Sequence, residues 1–214
     1  ILARAPELVL GGVYTHLASA DDNDTSFTDS QIARFDSVLG NLQRAGIETG
    51  WVHIANSAAT LRRADAHRDL VRVGIAMYGI APDTSMDPMC SNLRQALSLK
   101  SRVSFIKKVS AGEGISYGQR YQVQEATRIA TVPLGYADGV PRRLSDVGGE
   151  VLIAGQRFPI VGRVTMDQLM VDIGNSSIAV GDEVVLLGSQ GQETITPNDW
   201  GHLLDTIGYE IVCG

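Results

Sequence analysis

Trp51-Val52-His53-Ile54-Ala55-Asn56-Ser57-Ala58-Ala59 reads as a strand that runs straight into a helix, with Trp51 to Ala55 extended and Ser57 placed to cap a short helix to about Ala64. The same alternation surrounds it. Val13-Tyr14-Thr15-His16 forms a preceding strand. Thr28 then caps a helix from about Asp29 to Ala45, in which Ile32, Phe35, Val38, Leu39 and Leu42 recur at helical spacing until Gly46 ends it. Leu70 to Val73 and Ala76 to Ile80 supply a third and a fourth strand. Strands separated by helices are the signature of parallel βα units.

Beyond Ile80 the period changes. Pro82 to Asn92, with two prolines and little periodicity, reads as a linker. Short apolar runs punctuated by glycine follow: Leu97 to Val109, Thr127 to Pro133, Val151 to Ile153, Arg157 to Val161, Leu169 to Ile173 and Glu183 to Leu187. They predict an all-β, barrel-like domain with one helix from about Pro197 to Ile207, capped by Thr196. The expected organisation is therefore an α/β part over 1–85, a connection over 86–95 and a β-strand-rich domain over 96–214.

Composition narrows the function classes. The 214 residues carry a net charge of −6 with a pI near 5.2, so no basic footprint marks a nucleic-acid or anionic-membrane partner. No apolar run approaches the roughly 18 residues that cross a bilayer, and the first residues lack the basic head and apolar middle of a signal peptide. Cys90 and Cys213 stand in no metal-type spacing, which favours a cytoplasmic protein with reduced thiols. The chain opens without methionine on what reads as the tail of a helix. It stops at Glu210-Ile211-Val212-Cys213-Gly214, a strand-like run, and both ends read as cut.

Five segments carry the chemistry: His53 to Ala59, Arg72-Val73-Gly74-Ile75-Ala76-Met77-Tyr78-Gly79, Gly114-Ile115-Ser116-Tyr117-Gly118, Gly135-Tyr136-Ala137-Asp138-Gly139 and Val164-Thr165-Met166-Asp167-Gln168. In this order, across nearly the whole chain, they resemble the alanine racemases, enzymes that use pyridoxal 5'-phosphate (PLP). The resemblance implies the second half of a (β/α)8 barrel followed by a β-rich C-terminal domain, and a homodimer with shared active sites. It further implies interconversion of L- and D-alanine, the latter destined for cell-wall peptidoglycan.

By the same resemblance, Ser57 and the amides of Gly74 and Ile75 hold the cofactor phosphate, where loops after barrel strands and a helix start favour an anion. Read alone, Ser57 is as simply a helix cap and Gly74 a tight turn. Arg72 is implied to meet the pyridine nitrogen, with His53 supporting it and His16 beside the ring. Tyr117 is implied as the base that removes the α-proton of L-alanine, acting on the cofactor of the opposite subunit. A free phenol titrates near about 10, so such a base needs positive charge or hydrogen bonding nearby. Met166 is implied to touch the substrate carboxylate through its backbone amide, Asp167 to belong to the same substrate-binding segment, and Tyr136 to line the entrance. His67 and His202 fall in no motif.

The family's Val-Lys-Ala-Asn-Ala-Tyr-Gly-His-Gly type segment, whose lysine links the cofactor covalently, has no counterpart here. Lysine occurs only as Lys100, Lys107 and Lys108, in a run whose alternation puts Leu97, Leu99, Val103 and Phe105 on one face and Lys100, Arg102, Ser104 and Lys108 on the other. Lys107 shares parity with the apolar face. The chain alone is therefore expected to be inactive. Two other readings stand beside the racemase: a non-catalytic fragment or assembly module, and a racemase acting on serine or a broader set of amino acids.

Overall fold

The computed structural model describes residue 5 and residues 7–214 and divides into two units, 1–94 and 95–214. The helix tail expected at the first residues falls mostly outside the described residues.

In the first unit, β1 (Gly12–Tyr14) and β2 (Trp51–His53) pair in parallel, with Tyr14 opposite His53. Between them runs α1 (Ser26–Arg44), which buries Thr28, Ile32 and Phe35 against a core that includes Leu17, Ile54 and Ala59. Burying each of the large apolar side chains stabilises the unit by roughly 1.5–3 kcal/mol. Thr28 does not cap α1. The helix begins one turn earlier, after Thr25, and the buried Thr28 hydroxyl donates to Ser19 O at 3.1 Å. Gly46 follows the C-cap Ala45 with φ +68°, the left-handed geometry that ends helices.

After β2 the chain enters α2 (Ser57–Arg62), capped by Asn56, whose side chain accepts from Ala59 N at 3.0 Å. Ser57 is thus inside the helix, not its cap, and its hydroxyl is spent elsewhere. The strands expected at Leu70 to Val73 and Ala76 to Ile80 do not form. The first is an irregular segment: Asp69, just before it, donates from N to Val52 O in β2 at 3.0 Å, and Arg72 N donates to Ala55 O, two residues past β2, at 2.9 Å. The second contains a 3-10 turn at Ile75–Tyr78. Within Pro82 to Asn92, read from sequence as a connection, lie a turn at Thr84–Met86 and α3 (Asp87–Cys90). Met86 and Cys90 are buried in the first unit's core.

The second unit is a β barrel. Its strands are β3 (Leu99–Arg102), β4 (Phe105–Val109), the hairpin pair β5 (Gly114–Ile115) and β6 (Tyr121–Gln122), then β7 (Thr127–Val132), β8 (Glu150–Ile153), β9 (Gln156–Val161), β10 (Leu169–Asp172), β11 (Glu183–Gln190) and β12 (Glu193–Ile195). Antiparallel pairing runs β12-β11-β8-β9-β10-β7-β4, and β3 returns to pair with β11. Because β3 and β4 are consecutive, the 99–109 segment pairs first with β11 and then with β7, which closes the sheet on itself. Closure breaks the single alternation expected over Leu97 to Val109. After Val103 the register flips, so Phe105 is 58% exposed while Ile106 packs on the core. Lys107 follows Phe105 outward.

Helix α4 (Pro197–Leu204) seals one side of this barrel with the buried Trp200. Its cap is reciprocal: Thr196 Oγ1 accepts from Asp199 N at 3.1 Å and Asp199 Oδ2 accepts from Thr196 N at 2.7 Å. The strand-like terminal run contains instead a short helix, α5 (Gly208–Ile211). No described helix is long and apolar enough to cross a membrane.

Candidate active site

Parallel pairing of β1 and β2 brings two histidines and an arginine to the carboxyl ends of the strands. Arg72 Nη1 lies 2.6 Å from His53 Nδ1, and Nη2 donates to Thr15 O at 2.9 Å and approaches His16 Nδ1 at 3.3 Å. A guanidinium only donates, so His53 Nδ1 accepts and the ring proton sits on Nε2. Tyr14, opposite His53 in the ladder, stacks on its ring with centroids 5.1 Å apart and planes 4° from parallel. The Arg72 guanidinium carbon lies 5.4 Å from the centre of the Tyr14 ring. Three polar contacts and one ring contact thus fix the direction of one cation, as a positioned functional group needs. Arg72 Nε has no partner among the described residues.

Ser57, 4% exposed, lies at the start of α2 with its Oγ accepting from Gly74 N at 2.8 Å and from Ala76 N at 3.4 Å. A hydroxyl accepting two bonds still holds its own proton. The 3-10 turn beginning at Ile75 adds first-turn amides beside it, whose carbonyl partners a helix start lacks. His16, His53, Ser57, Arg72, Gly74 and Ile75 therefore share one end of the first unit.

The remaining predicted residues lie in the second unit. Tyr117 sits in the turn of the β5–β6 hairpin and is 74% exposed. Ser116, just before it, holds φ +63° and ψ −172°, a strained backbone for a residue with a side chain, and its Oγ donates to Arg163 O at 3.0 Å. Met166 and Asp167 form the exposed tip of a turn closed by Thr165 N and Oγ1, both donating to Gln168 O at 2.9 Å. Tyr136, 43% exposed, is joined to that turn by Tyr136 N to Thr165 O at 3.0 Å and Ala137 N to Met166 O at 2.9 Å. Gly135 permits this approach, because a Cβ there would lie 2.3 Å from Thr165 O and 2.5 Å from the Met166 carbonyl carbon. The 162–168 segment is thus the common support of Tyr117, Tyr136, Met166 and Asp167.

Of the other histidines, His67 Nε2 lies 2.9 Å from Thr60 O, and His202 is exposed near the end of α4. Lys100 pairs with Glu183 at 3.1 Å, and all three lysines are exposed.

Sequence reading passed over Tyr14, the last residue of β1, which stacks on His53 and lies beneath the Arg72 guanidinium. It also passed over Tyr121 and Asp172. Tyr121 OH donates to Asp172 Oδ2 at 2.9 Å, and burial, followed by that bond, raises the phenol above its usual range.

Comparison with known proteins agrees in both units. Residues 1–82 match the model of the alanine racemase N-terminal domain and residues 96–214 that of the C-terminal domain. The chain is 52% identical over 202 residues to an alanine racemase of Carboxydothermus hydrogenoformans, covering 94% of this chain and 55% of that protein. An alanine racemase of Symbiobacterium thermophilum is 46% identical over 215 residues, covering 100% of this chain and 56% of the relative. Among solved structures, the alanine racemase from Bacillus anthracis with bound L-Ala-P superposes with a TM-score of 0.92 at 46% identity, covering 99% of this chain and 54% of that one. That from Streptomyces coelicolor A3(2) gives a TM-score of 0.90 at 38% identity, with 98% and 56% covered. The chain spans about half the length of the curated relatives it matches. Its architecture is accordingly a partial (β/α) barrel followed by a β-rich domain, and the chain belongs to the alanine racemase family.

Proposed function

We propose that this chain is the part of a PLP-dependent alanine racemase that holds the cofactor's ring nitrogen and phosphate and carries one of two acid/base groups. The product served is D-alanine for peptidoglycan, made in the cytoplasm, where Cys90 and Cys213, both unpaired, stay reduced. The observation that carries the reading is the Arg72 guanidinium, locked by His53, Thr15 and His16 with Nε left to donate.

The residues present fit the cofactor. Ser57 Oγ has a proton to give to a phosphate oxygen, the amide of Ile75 lies at the start of a helical turn beside it while that of Gly74 braces the Ser57 hydroxyl, and Arg72 offers a donor to a ring nitrogen. When bound, PLP supplies an electron sink that acidifies the α-hydrogen of an attached amino acid. Arg72 keeps its own proton, so it holds a ring nitrogen unprotonated and restrains electron withdrawal, which disfavours side reactions such as transamination. The Tyr117 phenol takes the α-proton on the L face and returns it in the reverse direction. The Met166 amide meets the substrate carboxylate, Asp167 belongs to the same substrate-binding segment, and Tyr136 lines the way in.

Tyr117 is exposed within one chain, and this supports its acting on the site of a second copy in a homodimer. All three lysines stand on exposed positions, whereas a covalent attachment point needs a desolvated amine, so we assign none to this chain and expect no turnover from it alone.

The test is titration of the chain with PLP, followed by absorbance, and borohydride reduction with peptide mapping. Expected are a saturable, non-covalent complex weakened at least tenfold by Ser57→Ala and by Arg72→Ala, and no reduced adduct. Equal affinity in parent and both variants, or label on Lys100, Lys107 or Lys108, would overturn the assignment.

A further inference from the structure

The turn that presents Tyr117 is short and mostly exposed, and its backbone is strained at Ser116, with φ +63°. On the amino side it is fastened by Ser116 Oγ to Arg163 O. On the carboxyl side the fastening is Tyr121, four residues on, which stands opposite Ile115 in the hairpin and whose ring joins a small core of Val109, Val123, Ile129 and Val161. Its hydroxyl donates to Asp172 Oδ2 at 2.9 Å. The other carboxylate oxygen, Oδ1, accepts from Thr127 Oγ1 at 2.6 Å and from Gly174 N at 3.0 Å. Asp172 ends β10 and Thr127 begins β7, two paired strands of the barrel wall, so the carboxylate is immobilised from two sides. Burial and the Asp172 bond both favour the protonated phenol of Tyr121, which keeps it a donor.

We propose that Tyr121 and Asp172 are positioning residues for the acid/base reaction: their hydrogen bond anchors the β5–β6 hairpin to the barrel wall and so sets where the Tyr117 hydroxyl stands. The proposal rests on the reading of Tyr117 as the L-face base. Tyr121 touches neither the substrate nor the cofactor in it. An anchored hairpin spares Tyr117 the search over turn conformations, and a displacement of about 1 Å in a reacting group costs up to about a hundredfold in rate.

The experiment has two arms. In the first, this chain labelled with [ε-13C]tyrosine gives ring resonances for its 6 tyrosines, with Tyr117 assigned through Tyr117→Phe. In Tyr121→Phe and in Asp172→Asn the Tyr117 resonance moves towards the position of free tyrosine, while that of Tyr14, in the other unit, stays. The second arm places the same substitutions in an active racemase completed by joining the barrel residues of the Carboxydothermus hydrogenoformans relative that this chain does not cover. There kcat falls roughly tenfold to a hundredfold with KM within about twofold. The deuterium isotope effect rises with L-[2-2H]alanine and falls with D-[2-2H]alanine, because the step at Tyr117 has become the slower of the two transfers. An unmoved Tyr117 resonance overturns the proposal. So does a moved resonance with unchanged isotope effects, which would make the bond structural only. If Tyr117→Phe itself leaves the isotope effects of both enantiomers unchanged, the base assignment is what fails, and the proposal falls with it.

Discussion

Gly135→Ala isolates the contact that holds Tyr136 against the turn of Met166 and Asp167 in the second unit. The backbone at Gly135 is extended, with φ −142° and ψ −161°, so alanine meets no torsional obstacle there. The added methyl meets backbone instead, 2.3 Å from Thr165 O and 2.5 Å from both the carbon and the oxygen of the Met166 carbonyl. Neither neighbour can swing aside as a flexible side chain would. Overpacking of this kind costs roughly 1–3 kcal/mol. Moving the segments apart also stretches Tyr136 N to Thr165 O and Ala137 N to Met166 O, each worth about 0.5–1.5 kcal/mol. The expected loss is therefore roughly 2–6 kcal/mol of second-unit stability. Trp200, 2% exposed in that unit's core, reports it by fluorescence in urea once Trp51, 62% exposed in the other unit, is replaced by phenylalanine. Gly148→Ala is the control, since φ there is +81° and nothing lies within 4 Å, which leaves only a backbone cost of about 1–2 kcal/mol. A Gly135→Ala loss no greater than that of Gly148→Ala would refute the argument from close approach.

Three further outcomes are expected. Tyr117→Phe, in a racemase carrying this chain, slows α-proton exchange of L-alanine by at least about a hundredfold while PLP affinity stays within twofold; equal exchange rates in variant and parent remove Tyr117 from the reaction. Arg72→Glu places a carboxylate where the guanidinium stood, so the cofactor ring protonates and a long-wavelength absorbance grows with substrate; a spectrum without it counts against the electronic role of Arg72. Asp29 and Asp65 are both held below the usual carboxylate range, first by their hydrogen bonds to Arg63. A lowered folded value gives stability that is full above the unfolded value near 3.8 and lost as pH falls through the folded one. Arg63→Ala should flatten that acid limb of the melting temperature between about pH 4 and pH 2, and an unchanged slope would show the pairs to be inert.

Much of the fold was legible because its signals are local. The spacing of Ile32, Phe35 and Leu39 marks α1, and Thr196 followed by Pro197 marks the start of α4, each within a few residues of chain. What misled were runs whose partners are distant. Leu70 to Val73 and Ala76 to Ile80 have the apolar content of strands, yet the amides of Gly74 and Ala76 are claimed by the Ser57 hydroxyl and bend the chain into a turn. Asn56 and Ser57 are both good caps, and that same demand on Ser57 leaves Asn56 to do the capping. The flip after Val103 follows from a change of partner strand, which alternation alone does not encode. Tyr117, Arg72, Ser57 and the other site residues were named through motif resemblance. Tyr14, Tyr121 and Asp172 stand outside those motifs, and only pairing across strands brings them to light.

The way β3 returns to β11 also bears on how the second unit is made. Lys100 and Glu183, which meet across that seam, are 83 residues apart in the chain. During synthesis the edge of β3 has no partner until most of the unit has been translated, so acquisition of the native state is expected to be slow and late for a domain of this size. Over that interval Leu99 and Val103 remain open to self-association, and Lys100, Arg102, Lys107 and Lys108 spaced through 99–109 provide the charge that keeps the waiting segment apart from its copies.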